Sequence, residues 1–180
     1  LGATVRDISP AAAGESNVTA LAFGGRNNDG SAAPNVVFFA RGKILRAGTS
    51  NGATFTQAFQ TVMPRNIVDI AIVPNNAKVA YAVDARTVWR TADGGQTWKD
   101  VGKELKGQDL RSVEVVRVDG KTVVLVGDRR GVFRAVNAES EHTTWREYGR
   151  GLANAPVNDI HYENSRGDDV RSEEHTSELQ

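Results

Sequence analysis

Cysteine is absent from this 180-residue chain, which excludes disulfide bonds, thiol catalysis and cysteine metal sites. An excess of one charge is also lacking, because 22 basic side chains balance 22 acidic ones. We therefore predict no nucleic-acid partner. No apolar run reaches about 18 residues, so we predict no membrane span. The chain starts at Leu1 and shows no signal-peptide pattern, so we expect a processed or truncated N-terminus.

Patterns that bind metals or cofactors are missing as well. His142 and His161 are isolated and show no metal-ligand spacing. Residues 25–31 are rich in oxygen ligands but lack the spacing and distal Glu of a calcium loop. No phosphate-binding or dinucleotide-binding glycine motif occurs. We therefore predict neither a metal nor a cofactor.

The last ten residues differ in character from the rest of the chain. RSEEHTSELQ, residues 171–180, has no apolar period and follows a strand pattern abruptly. It resembles the conceptual translation of a common sequencing adapter, and we interpret it as an adapter artefact. The alternative is a natural acidic tail.

Short apolar-apolar-basic steps recur along the chain. Ile44-Leu45-Arg46, Val88-Trp89-Arg90 and Val132-Phe133-Arg134 follow one another at a spacing of 44 residues. Trp145 lies 47 residues after Trp98. A period in the mid-forties with β-type residues is typical of propeller blades.

Each repeat reads as four strands, because apolar and β-branched segments alternate with turn residues. The segments 70–73 and 123–126 are apolar on both faces, which indicates strands covered on both sides. The predicted strands are 18–23, 36–40, 44–47 and 53–58, then 67–73, 79–83, 87–91 and 97–101, then 112–118, 122–126, 131–135 and 144–148, and finally 157–162.

The predicted fold class is all-β: a partial β-propeller of about three four-stranded antiparallel blades plus the first strand of a fourth. Its partners would include the missing blades of a parent propeller, since a closed ring needs at least four. The predicted divisions are an N-terminal edge or linker at 1–16, blades over 17–162 (17–58, 66–101, 110–148 and the start of the next at 157–162), a truncated blade at 163–170, and the artefact at 171–180.

One motif is specific. Residues 91–98, TADGGQTW, fit S/T-x-D-x-G-x-T-W at every fixed position. We expect the Asp93 carboxylate and the Thr91 hydroxyl to accept turn N–H groups, with Thr97 as a fixed member of the motif. Gly95 allows positive φ, and Trp98 supplies a packing surface. Decayed copies stand at 49–55 and 141–145.

This motif resembles the BNR/Asp-box repeat, and the resemblance covers residues 17–162. The family includes sialidases, xyloglucanase-type glycoside hydrolases and sortilin-like propellers. The resemblance implies a propeller and favours a secreted or cell-envelope protein. It implies a non-catalytic binding or scaffold segment that recognises a protein or glycan. The alternative is a fragment of a glycoside hydrolase of sialidase or xyloglucanase type.

Three turns between second and third strands carry cations, and propellers usually bind ligands on that face. The candidate ligand-binding residues are Arg41, Lys43, Arg86, Arg129 and Arg130. The alternative is that these side chains are simply solvated, which we favour because two of the turns also carry Asp.

Asp69 and Asp159 occupy equivalent positions in two first strands, where side chains could face a central channel. They are the candidate catalytic carboxylates, because glycosidases use a pair of carboxyl groups. The alternative, which we favour, is a structural Asp that binds backbone at the start of each strand.

Overall fold

The computed structural model describes residues 17–52, 54–105, 108–138, 143–149, 155–162 and 170–171. These residues form an all-β fold, as predicted. The strands are β1 (Ala20–Phe23), β2 (Val36–Arg41), β3 (Ile44–Ser50), β4 (Phe55–Val62), β5 (Ile67–Ile72), β6 (Ala80–Asp84), β7 (Thr87–Thr91), β8 (Lys99–Asp100), β9 (Ser112–Val118), β10 (Lys121–Gly127), β11 (Val132–Val136), β12 (Trp145–Tyr148), β13 (His161–Tyr162) and β14 (Val170–Arg171), with a 3-10 turn at Lys103–Leu105.

The strands form three four-stranded antiparallel sheets, in each of which sequence neighbours pair. The first sheet is β1–β4, the second β5–β8 and the third β9–β12; β13 and β14 pair as a separate two-stranded unit. Short turns between neighbouring strands favour this meander. The inner strands are apolar on both faces because both faces are buried. All five residues of β6 and six of the seven residues of β10 are buried.

The three sheets are stacked, and the same interface occurs twice. On the second sheet, Ile70, Ala82, Trp89 and Trp98 face the first sheet and share its core. On the third sheet, the side chains at equivalent register positions face the second sheet: Val113, Val126, Phe133 and Trp145. One packing solution is therefore used at both junctions.

The two outermost faces of the stack remain partly open. On the first sheet, Leu21 and Phe23 are 57% and 74% exposed. On the third sheet, Val118 and Val136 are each 42% exposed. Large apolar side chains at this exposure form patches that proteins normally cover with a partner.

The repeat spacing of 44 residues is wrong for the first step. Arg41 pairs with Ile44 across one turn, and Asp84 pairs with Thr87 across the next. The true offset there is 43 residues, so Leu45 in the first sheet is equivalent to Val88 in the second. A one-residue slip exchanges the two faces of a strand, so the distinction decides which side chains enter the core.

Several strand ends also differ from the prediction. β1 begins at Ala20, and β8 is only two residues long because the turn at residues 91–98 precedes it. The first strand of the fourth repeat was predicted over 157–162, but only His161–Tyr162 pair as a strand. Val157 and Ile160 are nevertheless buried against the third sheet.

The predicted linker at 1–16, residues 163–169 of the truncated blade, and residues 172–180 lie outside the described residues. Val170 and Arg171 pair with β13, so the predicted artefact begins within a described strand. The adapter interpretation itself stays a prediction.

Candidate functional site

The turn at residues 91–98 closes through its own side chains. The Thr91 hydroxyl donates to Asp93 Oδ1 at 2.8 Å and accepts from the Gly95 amide at 2.9 Å. The Asp93 carboxylate accepts from the Thr97 amide at 2.9 Å and from the Thr97 hydroxyl at 2.6 Å. Burial alone would raise the pKa of Asp93, but these hydrogen bonds from Thr97 and Thr91 lower it to about 2.

The same turn is a packing element between two sheets. Gly95 has φ of 98°, and a Cβ there would lie 2.5 Å from the Ala47 side chain of the first sheet. The Trp98 ring meets Phe38 edge-on at 6.2 Å, and its Nε1 donates to the Gly95 carbonyl at 3.2 Å. Every fixed residue of the motif is thus engaged in local or inter-sheet contacts, which is a structural role.

The turns that connect second and third strands contain buried carboxylates. Asp84 is fully buried: Oδ1 accepts from the Arg86 amide at 2.8 Å and Oδ2 from Trp89 Nε1 at 3.0 Å. Asp128 is 1% exposed, and its Oδ1 accepts from the amides of Arg130 and Gly131, each at 2.7 Å. Its Oδ2 is buried and has no hydrogen-bond partner among the described residues. These carboxylates therefore organise the turns from inside.

The cations of the same turns point outward. Lys43, Arg86, Arg129 and Arg130 are exposed, whereas Arg41 is half-buried. Across the described part of the chain, none of the four exposed cations lies within ion-pair distance of a carboxylate. The Asp residues in two of these turns, which favoured the solvated-loop alternative, are therefore not surface partners of the cations.

Asp69 shows the contacts of a structural residue. Its Oδ1 accepts from the Ile70 amide and its Oδ2 from the Val113 amide on the third sheet, both at 2.8 Å. Burial raises the pKa of Asp69, hydrogen bonds from Val113 and Ile70 oppose the shift, and the charge of Asp159 adds to it. Asp69 thus joins the first strands of adjacent sheets, while Asp159 is exposed.

Glu114 is a half-buried carboxyl group that the sequence reasoning missed. It lies on β9, on the face toward residues 157–162. Burial raises the pKa of Glu114 to about 7; the charge of His161 lowers it, and those of Asp69 and Asp159 raise it. The equivalent residue of the second sheet is Ala71. The sequence signal for Glu114 was therefore a carboxylate at a position that holds a small apolar residue in the other sheet.

A scan against protein-family models gives no match, and no curated protein matches the chain. No group of three or more His, Asp or Glu side chains suited to a metal ion occurs among the described residues. The described residues also contain no helix long and apolar enough to cross a membrane.

Proposed function

We propose that this chain is part of a β-propeller of the BNR/Asp-box type, and that it serves as a non-catalytic binding or scaffold segment for a protein or glycan. The repeated inter-sheet interface carries the proposal, because a propeller is built from successive four-stranded sheets packed face to face. The complete Asp box at residues 91–98 supports the family, and the family favours a secreted or cell-envelope protein.

The open face of the third sheet supports further sheets in the intact assembly. The Val157 amide donates to the Asp128 carbonyl, just as the Leu110 amide donates to the Ala85 carbonyl at the preceding junction. Residues 157–160 thus occupy the position at which a fourth layer would begin. Beside them lies a groove of about 300 Å³ whose lining includes Leu125, Tyr148 and Tyr162. The missing partner is a fourth sheet with an apolar face.

The absence of a role in catalysis is supported by the engagement of Asp69. Both of its carboxylate oxygens already accept backbone N–H groups. A nucleophile or base must turn an oxygen toward its substrate, and these bonds hold each Asp69 oxygen toward the backbone. The remaining candidate, Asp159, would then need a carboxyl partner other than Asp69, because a glycosidase uses a pair of carboxyl groups.

One observation favours the second candidate function, a fragment of a glycoside hydrolase. A carboxyl group with a pKa near 7 can be protonated at neutral pH, which suits a general acid. Glu114 has such a pKa and feels the charge of the exposed Asp159. In this alternative Glu114 would protonate the leaving group and Asp159 would act as the ionised partner.

Binding and turnover measurements on the purified chain separate the two proposals. We expect retention of the chain by a protein or glycan on an array, with no hydrolysis of fluorogenic sialoside or of xyloglucan oligosaccharide. Hydrolysis that is lost in Glu114→Gln, while the variant melts no lower than the wild-type chain, would replace the binding proposal with the hydrolase. Neither retention nor hydrolysis would leave only a structural role.

A further inference from the structure

The turns between second and third strands lie along one edge of the stack. Each touches the start of the following layer: the Gly42, Ala85 and Asp128 carbonyls accept from the amides of Ile67, Leu110 and Val157. The three turns therefore occupy the same place in successive layers. Their exposed cations, with Arg65 from the connection beside the first turn, form what we call the basic edge: Lys43, Arg65, Arg86, Arg129 and Arg130.

Within the described part of the chain, no carboxylate forms an ion pair with the cations of the basic edge. Asp84 and Asp128 are buried beneath the turns and bond to turn N–H groups. Two nearby acids are engaged elsewhere: Glu104 accepts from the Trp145 amide, and Asp109 pairs with Arg111 at 3.1 Å. The exposed cations of this edge are therefore accessible to a polyanionic ligand.

The layers fix the spacing of these charges. Stacked sheets pack about 10 Å apart, so turns at equivalent positions present cations at about that interval. The interval is comparable to the length of two linked sugar rings in an extended polysaccharide. Arginine suits such a ligand, because its planar guanidinium binds carboxylate or sulfate oxygens in pairs.

We propose that the basic edge binds a linear anionic polysaccharide that carries at least one carboxylate or sulfate per two sugars. The inference rests on the proposed binding function and names its ligand class. Each layer contributes its own turn with exposed cations, so the edge presents charge repeatedly and fits a repeating polymer better than a single charged sugar. Binding through exposed cations weakens as salt concentration rises.

The test uses hyaluronan and heparin as polyanionic probes and dextran as the neutral probe, with the whole chain. The Arg86→Gln/Arg130→Gln variant removes two charges from the basic edge. The Lys78→Gln/Lys121→Gln variant removes two exposed lysine charges from the opposite edge of the stack and is the matched control. The turns use backbone amides of Arg86 and Arg130, so both variants should keep the wild-type melting temperature.

We expect the basic-edge variant to bind hyaluronan or heparin about tenfold more weakly and the control within about twofold of wild type, with dextran unbound by all three. Equal weakening in both variants would overturn the inference, since general charge attraction would explain it. Failure of the wild-type chain to bind either polyanion at low salt would also overturn it. Retention of a neutral glycan or a protein would then still uphold the broader binding proposal.

Discussion

The second and third sheets share one architecture but differ in how completely their polar groups and faces are satisfied. In the second sheet the buried Asp84 bonds through both oxygens, and the sheet packs between two neighbours. In the third sheet Asp128 Oδ2 has no partner, and one face stays partly open. The two sheets therefore share the same strand pairing but differ in the hydrogen bonds and packing of their side chains. Strand pairing depends little on which apolar residue fills a position.

The largest expected effect compares Tyr81 with Leu125, which occupy equivalent positions in the two sheets. Tyr81 is fully buried, and its hydroxyl donates to the Ala138 carbonyl at 3.0 Å. We expect Tyr81→Ala to lower the free energy of unfolding by about 4 kcal/mol and Leu125→Ala by about 2, because Leu125 borders the open groove. Urea denaturation measures both. Equal losses would mean that the open face is covered in solution.

Glu114 should make the third sheet sensitive to pH. Its pKa is raised from 4.5 to about 7, so the folded state resists ionisation, and stability falls as pH rises between those values. Glu114→Gln should remove this slope and raise the free energy of unfolding at pH 8 by about 2 kcal/mol, after allowance for solvent screening. Ala71→Gln, at the equivalent site, is the control and should add no pH dependence. A parallel pH slope in wild type and Glu114→Gln would contradict the raised pKa.

The turn at residues 91–98 should make stability depend on pH in the opposite sense. The pKa of Asp93 is lowered from 3.8 to about 2, so its contribution is present above the unfolded value and is lost as pH falls toward 2. Asp93→Ala should cost about 1.5 kcal/mol at neutral pH, and the difference from wild type should vanish near pH 2. Thermal melts across this range are the measurement. Asn51→Ala, in the decayed copy, should cost less, because Asn51 accepts from Thr54 through a neutral amide oxygen, whereas Asp93 accepts through a charged carboxylate.

The smallest expected effect comes from exchanging Trp89 and Phe133, the aromatic residues beside the buried carboxylates Asp84 and Asp128. Phe133 stands where Trp89 donates its Nε1 to Asp84. Phe133→Trp should give Asp128 Oδ2 a donor and add about 1 kcal/mol, while Trp89→Phe should cost a similar amount. Differential scanning calorimetry can resolve both shifts. If Phe133→Trp destabilises the chain, the half-buried site lacks room for the larger ring.

The sequence predicts elements well where local pattern decides them. β7 and β9 match their predicted bounds, because strong β-formers stop at clear turn residues in both. β8 and β13 are shorter than expected, since one is limited by the preceding turn and the other by the single partner strand that it finds. Patterns along one segment do not reveal whether its edge is paired.

The candidate site was less predictable because burial comes from distant residues. Asp84 read as a surface loop charge but is enclosed by its own turn and by Trp89. Glu114 was overlooked because its charged neighbours Asp69, Asp159 and His161 lie 45 to 47 residues away in sequence. The hydrogen bonds of residues 91–98 could be expected from the motif alone, because nearly all of them are local, within four positions.

The outer strands of the three sheets protect their unpaired edges to different degrees. β8 is two residues long, and β12 carries Arg146 and Glu147. β4, by contrast, is the edge strand of the first sheet and runs for eight residues, FTQAFQTV, without charge, proline or glycine. Such a segment is a template for edge-to-edge addition and fibril growth. Concentrated protein should therefore aggregate first through β4, and a lysine at one of its exposed glutamines would protect it.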